Sequence, residues 1–254
     1  MKEWRLIIDG PLSGYENMAV DEAMLTACEK GESPSTIRFY KWDRTTLSIG
    51  FFQKSEACFK RCSALNIPIV RRVTGGRAVL HDVELTYSVV TNDAELLEKG
   101  IIGAYKVVSR CIVDALMDLG LDACIMDARD KRFASKGKTK ESCFDFVSRY
   151  EITINGRKII GSAQKRLKNA FLQHGSIIMD VNKDLQMSIF DTTDASMIDG
   201  INSYIDVDAD SVIESILKRF GETMDVKLIN GRLTDFEFAL KEGLTASKYT
   251  ICGH

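Results

Sequence analysis

The segment YEITINGRKIIGSA, residues 150–163, constrains the fold more than any other part of this chain. Strand-forming residues precede and follow Asn155-Gly156, a dipeptide that readily adopts the positive φ angles of a two-residue hairpin turn. Strands joined by so short a turn can only pair antiparallel, because a parallel pair needs a long crossover. The sheet of this protein is therefore predicted to be antiparallel at least here.

Helical patterns alternate with further strand-like runs. Apolar residues recur at near-helical spacing over 15–30, 103–119 and 211–220, and a glycine ends each run. Thr234 and Glu237 predict a capping box for a last helix. The strand-like runs are 5–8, 35–40, 46–52, 68–72, 85–90, 150–154, 158–163 and 171–181. We therefore predict an α+β fold, in which helices pack against a mixed, largely antiparallel sheet.

The bulk properties are those of one ordinary globular domain. The 254 residues include only three prolines, and neither a low-complexity linker nor an internal repeat interrupts them, so we predict a single domain over 1–254. A net charge of −2 argues against general nucleic-acid binding. No signal peptide and no apolar run of about 20 residues is present, so neither secretion nor a membrane partner is expected.

The seven cysteines are an odd number at too low a density for a disulfide scaffold. We therefore predict a cytoplasmic protein whose thiols mostly act as small buried apolar groups. Cys58 and Cys62 lie one helical turn apart, without a second cysteine pair or a nearby histidine. Because a structural zinc site needs about four ligands, we predict no metal site.

Cys143 has a different setting. It follows residues 131–140, which contain five basic residues and no acidic one, and it precedes an aromatic pair in CFDF. Positive charge in an accessible segment stabilises the thiolate, which is the nucleophilic form of cysteine. The residues by themselves leave two interpretations open, a catalytic nucleophile and an incidental loop thiol.

Lys158 lies on the second strand of the predicted hairpin. Strand alternation predicts that Ser162 and Gln164 share its face. A face with a lysine and polar groups, beside small Gly161 and Ala163, is typical of a binding-site wall. An edge strand with an outward lysine is the alternative.

The segment RRVTGGRAVLHDVELTYSVV, residues 71–90, combines Arg71, Arg72 and His81 with paired glycines. Residues 73–76 predict a turn whose exposed amides can bind an anion or a carbonyl oxygen, since glycine lets a ligand approach the backbone. His81 comes within reach of the same cavity if the two halves of the segment lie together.

Three ordered motifs carry a family resemblance: RRVTGGRAVLHDVELTYS, CFDFVSRYEITINGRKIIGSAQKR and LQHGSI. With MAVDEAML and TIRFYKWDRTTLSIGFFQ near the N-terminus, they resemble the lipoate-ligase and octanoyltransferase superfamily over nearly the whole chain. The resemblance is closest to the cysteine-dependent octanoyltransferases of lipoate synthesis. It implies a catalytic domain of the biotin/lipoyl protein ligase type, which is related to class II synthetase cores.

The resemblance also implies roles for individual residues. Cys143 matches the nucleophile that becomes acylated, and Lys158 matches the lysine that contacts the acyl carbonyl. The expected substrate-binding residues are Arg71, Arg72, Thr74, Gly75, Gly76, His81, Gly161, Ser162, Ala163 and His174. For His174, a hydrogen-bonded core histidine is the alternative.

The implied reaction moves an octanoyl group from octanoyl-acyl carrier protein to a lysine of a lipoyl-accepting protein such as the glycine-cleavage H protein, without a cofactor. Arg77 and Glu84-Leu85 stand where related ligases carry a third glycine and Gly-Asn, which favours a transferase. An ATP-dependent lipoate-protein ligase is the first alternative, and a non-catalytic acyl- or lipoate-binding regulator is the second.

The basic residues of 131–140 suggest how partners are recognised. Acyl carrier proteins and lipoyl domains are acidic, so this segment is expected to speed their encounter with the enzyme, and a solvated loop is the alternative. No sequence feature indicates an oligomer, and a monomer is expected.

Overall fold

A computed structural model of the chain describes residues 1–54, 56–126 and 150–249. The strands are β1 (Lys2–Leu12), β2 (Thr36–Trp42), β3 (Thr46–Ile49), β4 (Ile69–Arg71), β5 (Val79–His81), β6 (Glu84–Thr91), β7 (Ala123–Ile125), β8 (Ile152–Ile154), β9 (Arg157–Arg166), β10 (Phe171–Ile178) and β11 (Val226–Asn230). The helices are α1 (Gly14–Glu29), α2 (Glu56–Ala64), α3 (Ala94–Glu98), α4 (Gly100–Asp118), α5 (Lys183–Phe190), α6 (Ala209–Met224) and α7 (Asp235–Leu244).

The strands form two sheets. An eight-stranded main sheet has the order β11-β1-β2-β6-β10-β9-β8-β7, and a three-stranded small sheet has the order β4-β3-β5. In the main sheet β1 pairs parallel with β11 and β2, and the other neighbours pair antiparallel. The predicted α+β fold with a mixed, largely antiparallel sheet is confirmed.

The hairpin predicted at Asn155-Gly156 is also present. Both residues have positive φ angles, 50° and 75°, and they connect β8 to β9. The positive φ angles match the right-handed twist of the flanking strands, which is why this dipeptide favours a hairpin so strongly.

The two faces of the main sheet bury different layers. On one face, α4 and α6 pack against apolar side chains of the central strands, including Phe39 and Val89. On the other face, Val20 and Met24 of α1 pack against Val90. The small sheet covers the same second face, together with α2 and α5. This second face is therefore enclosed, and the candidate site lies on it.

The helices predicted over 15–30, 103–119 and 211–220 are present, and the first two end at their predicted glycine. Gly31 and Gly120 have positive φ angles just beyond α1 and α4, as a C-terminal glycine should. The predicted end of α6 at Gly221 is wrong, because the helix continues to Met224 and ends at Asp225 with a φ of 49°. A glycine inside a helix costs only about 1 kcal/mol, which packing of the apolar face outweighs. Within the described ranges, no helix is both long and apolar enough to cross a membrane.

A bulge in β9 moves Lys158 to the face opposite Ser162. The partners of Lys158 and Ile160 on β8 are consecutive residues, so β9 carries one extra residue between them. Such a bulge inverts the alternation of side chains beyond it. The prediction that Lys158 shares a face with Ser162 and Gln164 is therefore wrong. Ser162 Oγ lies 2.8 Å from Tyr87 OH, on the face that packs against α4.

A buried ion pair connects β1 to α7. Arg5 donates two hydrogen bonds to the Glu237 carboxylate, at 2.5 and 2.6 Å, and neither side chain is more than 8% exposed. Glu237 also completes the predicted capping box with Thr234. Glu16 completes the corresponding capping box of α1 with Ser13, but its side chain is 35% exposed.

These two glutamates give a matched test of the buried pair. We expect Glu237→Ala to lower the free energy of unfolding by about 3–5 kcal/mol, because it leaves a buried guanidinium without its carboxylate. Glu16→Ala removes the same capping position but only a partly exposed ion pair, and should cost about 1 kcal/mol or less. Urea denaturation measures both. Equal losses of unfolding free energy in the two variants would show that the capping box, not the buried ion pair, provides most of the stabilisation.

Candidate functional site

A cavity lies between the main sheet and the small sheet. Its empty volume is about 580 Å³, a figure that includes space open to solvent. Of the residues predicted from the sequence, those that line it are Arg72, Gly76, His81, Lys158, Gly161, Ser162, Ala163 and His174.

Lys158 reaches the cavity because Gly161, which lies beside its ammonium group, has no side chain. Its Nζ lies 2.5 Å from Glu151 Oε1, and both side chains are almost fully buried. A Cβ at Gly161 would lie 2.8 Å from Lys158 Cε and 2.9 Å from Nζ. A larger residue at position 161 would therefore displace the ammonium group. Glu151 directly precedes β8, so the hairpin brings the carboxylate and the lysine together.

His81 is held on three sides. Its Nδ1 lies 3.0 Å from Glu84 Oε2, and its Nε2 lies 2.7 Å from Ser48 Oγ. Its ring stacks on Trp42 with 3.9 Å between ring centroids. Arg72 donates to the same Ser48 hydroxyl at 3.1 Å. The imidazole is thus fixed in orientation at the wall of the cavity.

His174 has a similar set of partners on the other side of the cavity. Its Nδ1 lies 2.9 Å from Asp21 Oδ2, and its Nε2 lies 2.7 Å from Thr74 Oγ1. Arg38 and Tyr40 each donate to the Asp21 carboxylate at 3.0 Å. His174 is therefore a hydrogen-bonded core histidine and a cavity-lining residue at once, so the two interpretations of it are compatible.

The comparisons with known proteins agree with this architecture. Residues 13–234 match the family described as the lipoyl protein ligase A/B catalytic domain. The chain is 38% identical to an octanoyltransferase LipM of Brevibacillus brevis, over 98% of this chain and 97% of that protein. It is 37% identical to an octanoyltransferase LipM of Clostridioides difficile, over 96% and 95% of the two chains. The chain belongs to the octanoyltransferase LipM family.

Solved structures show the same fold. A crystal structure of lipoate-protein ligase A bound with ATP has a TM-score of 0.82 and 25% sequence identity, and covers 98% of this chain and 96% of that one. A lipoate protein ligase of Thermoplasma acidophilum has a TM-score of 0.77 and 23% identity, over 98% and 94% of the chains. Membership of the LipM family confirms the resemblance inferred from the sequence motifs.

Three predicted residues lie behind the cavity wall. Arg71 donates to the carbonyl groups of Gly50 and Gln53, at 3.0 and 2.8 Å, and so holds the loop after β3. The Thr74 hydroxyl forms a hydrogen bond with His174 Nε2. The Gly75 carbonyl accepts a hydrogen bond from Arg72 at 2.8 Å. In this LipM-family chain, these residues position the groups that line the cavity.

The backbone of the glycine turn is tightly packed. A Cβ at Gly50 would lie 1.9 Å from the Gly76 carbonyl oxygen, and Gly76 has a φ of 96°. Both positions therefore require glycine. This contact fixes the Gly76 end of the turn against the small sheet, at the edge of the cavity.

Cys143 and the basic residues of 131–140 lie outside the described residues. Of the cysteines that the structure describes, Cys28, Cys58, Cys62 and Cys111 are buried and Cys124 is exposed. Burial raises the pKa of Cys28 and of Cys62 to about 12 and that of Cys111 to about 11. These three thiols are poor nucleophiles, as expected for small apolar core groups.

Several residues of the site were missed by the sequence analysis. Asp21, Ser48 and Glu151 each lie in an ordinary helix, strand or loop pattern, far along the chain from their partners. Glu84 was noted only as a departure from the ligase pattern. An acidic residue inside the apolar strand ELTYSVVT is the one local signal that could have identified it.

Two of the buried carboxyls, Asp21 and Glu84, have lowered pKa values. Burial alone would raise the pKa of Glu84, but the charge of His81 and the hydrogen bonds that Glu84 accepts outweigh it. Burial would likewise raise the pKa of Asp21, but the hydrogen bond to His174 and the charge of Arg38 lower it. Both carboxyls are therefore ionised in the folded protein at neutral pH.

This ionisation predicts how stability depends on pH. Because the folded pKa values lie below the ordinary values of 4.5 for Glu and 3.8 for Asp, the unfolded chain takes up protons first as the pH falls. The stabilisation is complete above those values and is lost as the pH falls through the folded pKa values. The free energy of unfolding, measured from denaturation curves between about pH 7 and pH 3, should show this loss. The Glu84→Gln variant should lose less stability than the wild type over the same pH range. Parallel pH profiles for the two proteins would contradict the role of Glu84.

Proposed function

We propose that this protein transfers an octanoyl group from octanoyl-acyl carrier protein, through a thioester on Cys143, to a lysine of a lipoyl-accepting protein. The observation that carries the proposal is its similarity to octanoyltransferases LipM over nearly its whole length. The arrangement of Lys158 beside Gly161 at a cavity between the two sheets supports it, because a cationic donor placed there can stabilise the negative charge that develops on an acyl carbonyl oxygen.

In the first step, the Cys143 thiolate attacks the carbonyl carbon of the carrier thioester. The new carbon–sulfur bond forms as the carrier's thiolate leaves, so one thioester replaces another and the free energy changes little. Lys158 Nζ donates to the carbonyl oxygen while it carries negative charge. A well-placed donor of this kind is worth about 3–4 kcal/mol in acyl transfer. Glu151 keeps the ammonium group in place between substrates.

In the second step, the neutral amine of the acceptor lysine attacks the acyl-enzyme. The carbon–nitrogen bond forms, the Cys143 thiolate leaves, and the nitrogen loses a proton to solvent. An amide is more stable than a thioester, so this step is downhill and no ATP is consumed. The chemistry needs no cofactor.

The partners follow from the same reaction. The donor is octanoyl-acyl carrier protein, and the acceptor is a lipoyl domain or the glycine-cleavage H protein. Both classes of partner are acidic, and the basic residues of 131–140 carry the opposite charge. We propose that residues 1–254 act as one catalytic domain, as a monomer in the cytoplasm.

The acyl-enzyme is tested by intact-protein mass spectrometry after mixing with octanoyl-acyl carrier protein in the absence of ATP. We expect the wild type to gain one octanoyl group that hydroxylamine removes, and Cys143→Ala to gain none. Cys124→Ala is the matched control, because Cys124 is the exposed cysteine among the described residues. It should acylate like the wild type.

Other outcomes identify the alternatives. An adduct of equal mass in Cys143→Ala would remove this cysteine from the mechanism. Octanoyl or lipoyl transfer that requires ATP and survives Cys143→Ala would indicate a ligase. Reversible binding of octanoate without any covalent adduct or transfer would indicate a binding protein.

The position of Lys158 gives a second test. Gly161→Ala places a methyl group against the lysine side chain, so we expect kcat/KM for octanoyl transfer to fall by about 10²-fold while the fold is kept. Gly10→Ala is the control, because a Cβ there meets no atom within 4 Å. Steady-state kinetics measures the effect on kcat/KM, and circular dichroism checks that each variant keeps the fold. Full activity of Gly161→Ala would show that the lysine does not need its present position.

A further inference from the structure

The wall of the cavity contains polar residues whose donor groups pair with a carboxylate inside the wall. Trp42, His81, Thr86 and Ser176 all line the cavity. Trp42, Thr86 and Ser176 donate hydrogen bonds to the buried carboxylate of Glu84, and His81 Nδ1 lies 3.0 Å from it. The three donors are therefore paired inside the wall.

Glu84 accepts hydrogen bonds on both of its carboxylate oxygens. Trp42 Nε1 donates to its Oε1 at 2.9 Å, and the Thr86 hydroxyl donates to the same oxygen. The Ser176 hydroxyl donates to Oε2, and His81 Nδ1 lies 3.0 Å from that oxygen. An ionised carboxylate offers about four acceptor sites, two on each oxygen. Three of them are used by these donors.

The positions of these residues explain why the arrangement matters for the cavity. Thr86 and Ser176 are cross-strand partners on the central strands β6 and β10, and Ser176 is in turn paired with Gly161 on β9. They form the floor beside Lys158. With their hydroxyl hydrogens directed to Glu84, the floor offers a substrate no donor from these two groups, and Met18 and Val79 complete an apolar lining.

We propose that Glu84 is a specificity-determining residue, which withdraws the donors of the cavity wall so that the cavity accepts an unsubstituted acyl chain and rejects a chain with a polar group. This inference deepens the proposed function, on which its kinetic test rests. Glu84 acts through the side chains that it binds and does not contact the substrate. A buried polar group left without a partner is costly, so a hydroxyl on the chain is disfavoured where it finds no free donor among these side chains.

A glutamine at this position could not do the same. A carboxamide has one acceptor oxygen and two N–H donors, whereas Glu84 accepts from three side chains on its two oxygens. In Glu84→Gln some of the donors therefore lose their acceptor and become available to a ligand or to water. The change keeps the size of the side chain and alters only its hydrogen bonding.

The test compares octanoyl- and 8-hydroxyoctanoyl-acyl carrier protein as competing donors. We expect the wild type to prefer the octanoyl donor by about 10²-fold in kcat/KM, which is what an apolar pocket achieves against an added hydroxyl. In Glu84→Gln the preference for the octanoyl donor over the 8-hydroxyoctanoyl donor should shrink about tenfold. The difference should appear in the KM values of the two donors rather than in kcat. Asp82→Asn is the matched control, since Asp82 bonds Thr45 outside the cavity and its amide should leave the preference unchanged.

A binding measurement separates this inference from the proposed function. Dissociation constants of octanoate and 8-hydroxyoctanoate, measured by ligand-observed NMR, do not depend on Cys143 or on transfer. A wild type that does not discriminate between the two ligands, or a Glu84→Gln variant with undiminished preference, would overturn the inference. If the glutamine variant does not fold, Glu84→Asp keeps the charge but shortens its reach, and a smaller preference is expected there too. Absence of transfer with both donors, with the binding preference intact, would count against the proposed function alone.

Discussion

Two buried carboxylates on one face of the main sheet determine most of this structure. Asp21 receives hydrogen bonds from Arg38 and Tyr40 of β2 and pairs with His174 of β10, and so attaches α1 to the sheet. An unpaired buried charge costs several kcal/mol, so a fold that buries Asp21 must bring these partners to it. Glu84 connects β6, β10 and the small sheet in the same way. The cavity is the space that remains between the two clusters.

The position of Lys158 in the cavity depends on backbone features more than on charge. A bulge in β9 turns Lys158 to the enclosed face, and Gly161 leaves room for its ammonium group beside Glu151. On the facing side, the contact between Gly50 and the Gly76 carbonyl holds the glycine turn against the small sheet. These are the positions at which a single added methyl group changes the site, because neither the sheet nor the turn can move away.

These contacts give the residues of the cavity different roles. In the proposed reaction Lys158 donates to the substrate carbonyl. His174 has both ring nitrogens hydrogen-bonded to protein partners, and His81 Nε2 lies 2.7 Å from Ser48 Oγ. Both imidazoles are held in place by protein partners and shape the cavity wall. Lys158 beside this wall suits the proposed acyl transfer from a long apolar chain.

The sequence by itself determined the local features of this protein: the Asn155-Gly156 hairpin, the Thr234–Glu237 capping box, the mixed sheet, the family, and the motifs that supply Lys158, His81 and His174. These depend on neighbouring residues, where spacing and side-chain type are sufficient. Only the tertiary structure decided which face Lys158 occupies and which residues support it. A one-residue bulge leaves the composition of a strand unchanged, and Asp21 meets His174 across 153 positions of the chain. Contacts of that kind are set by the packing of layers, which no local pattern records.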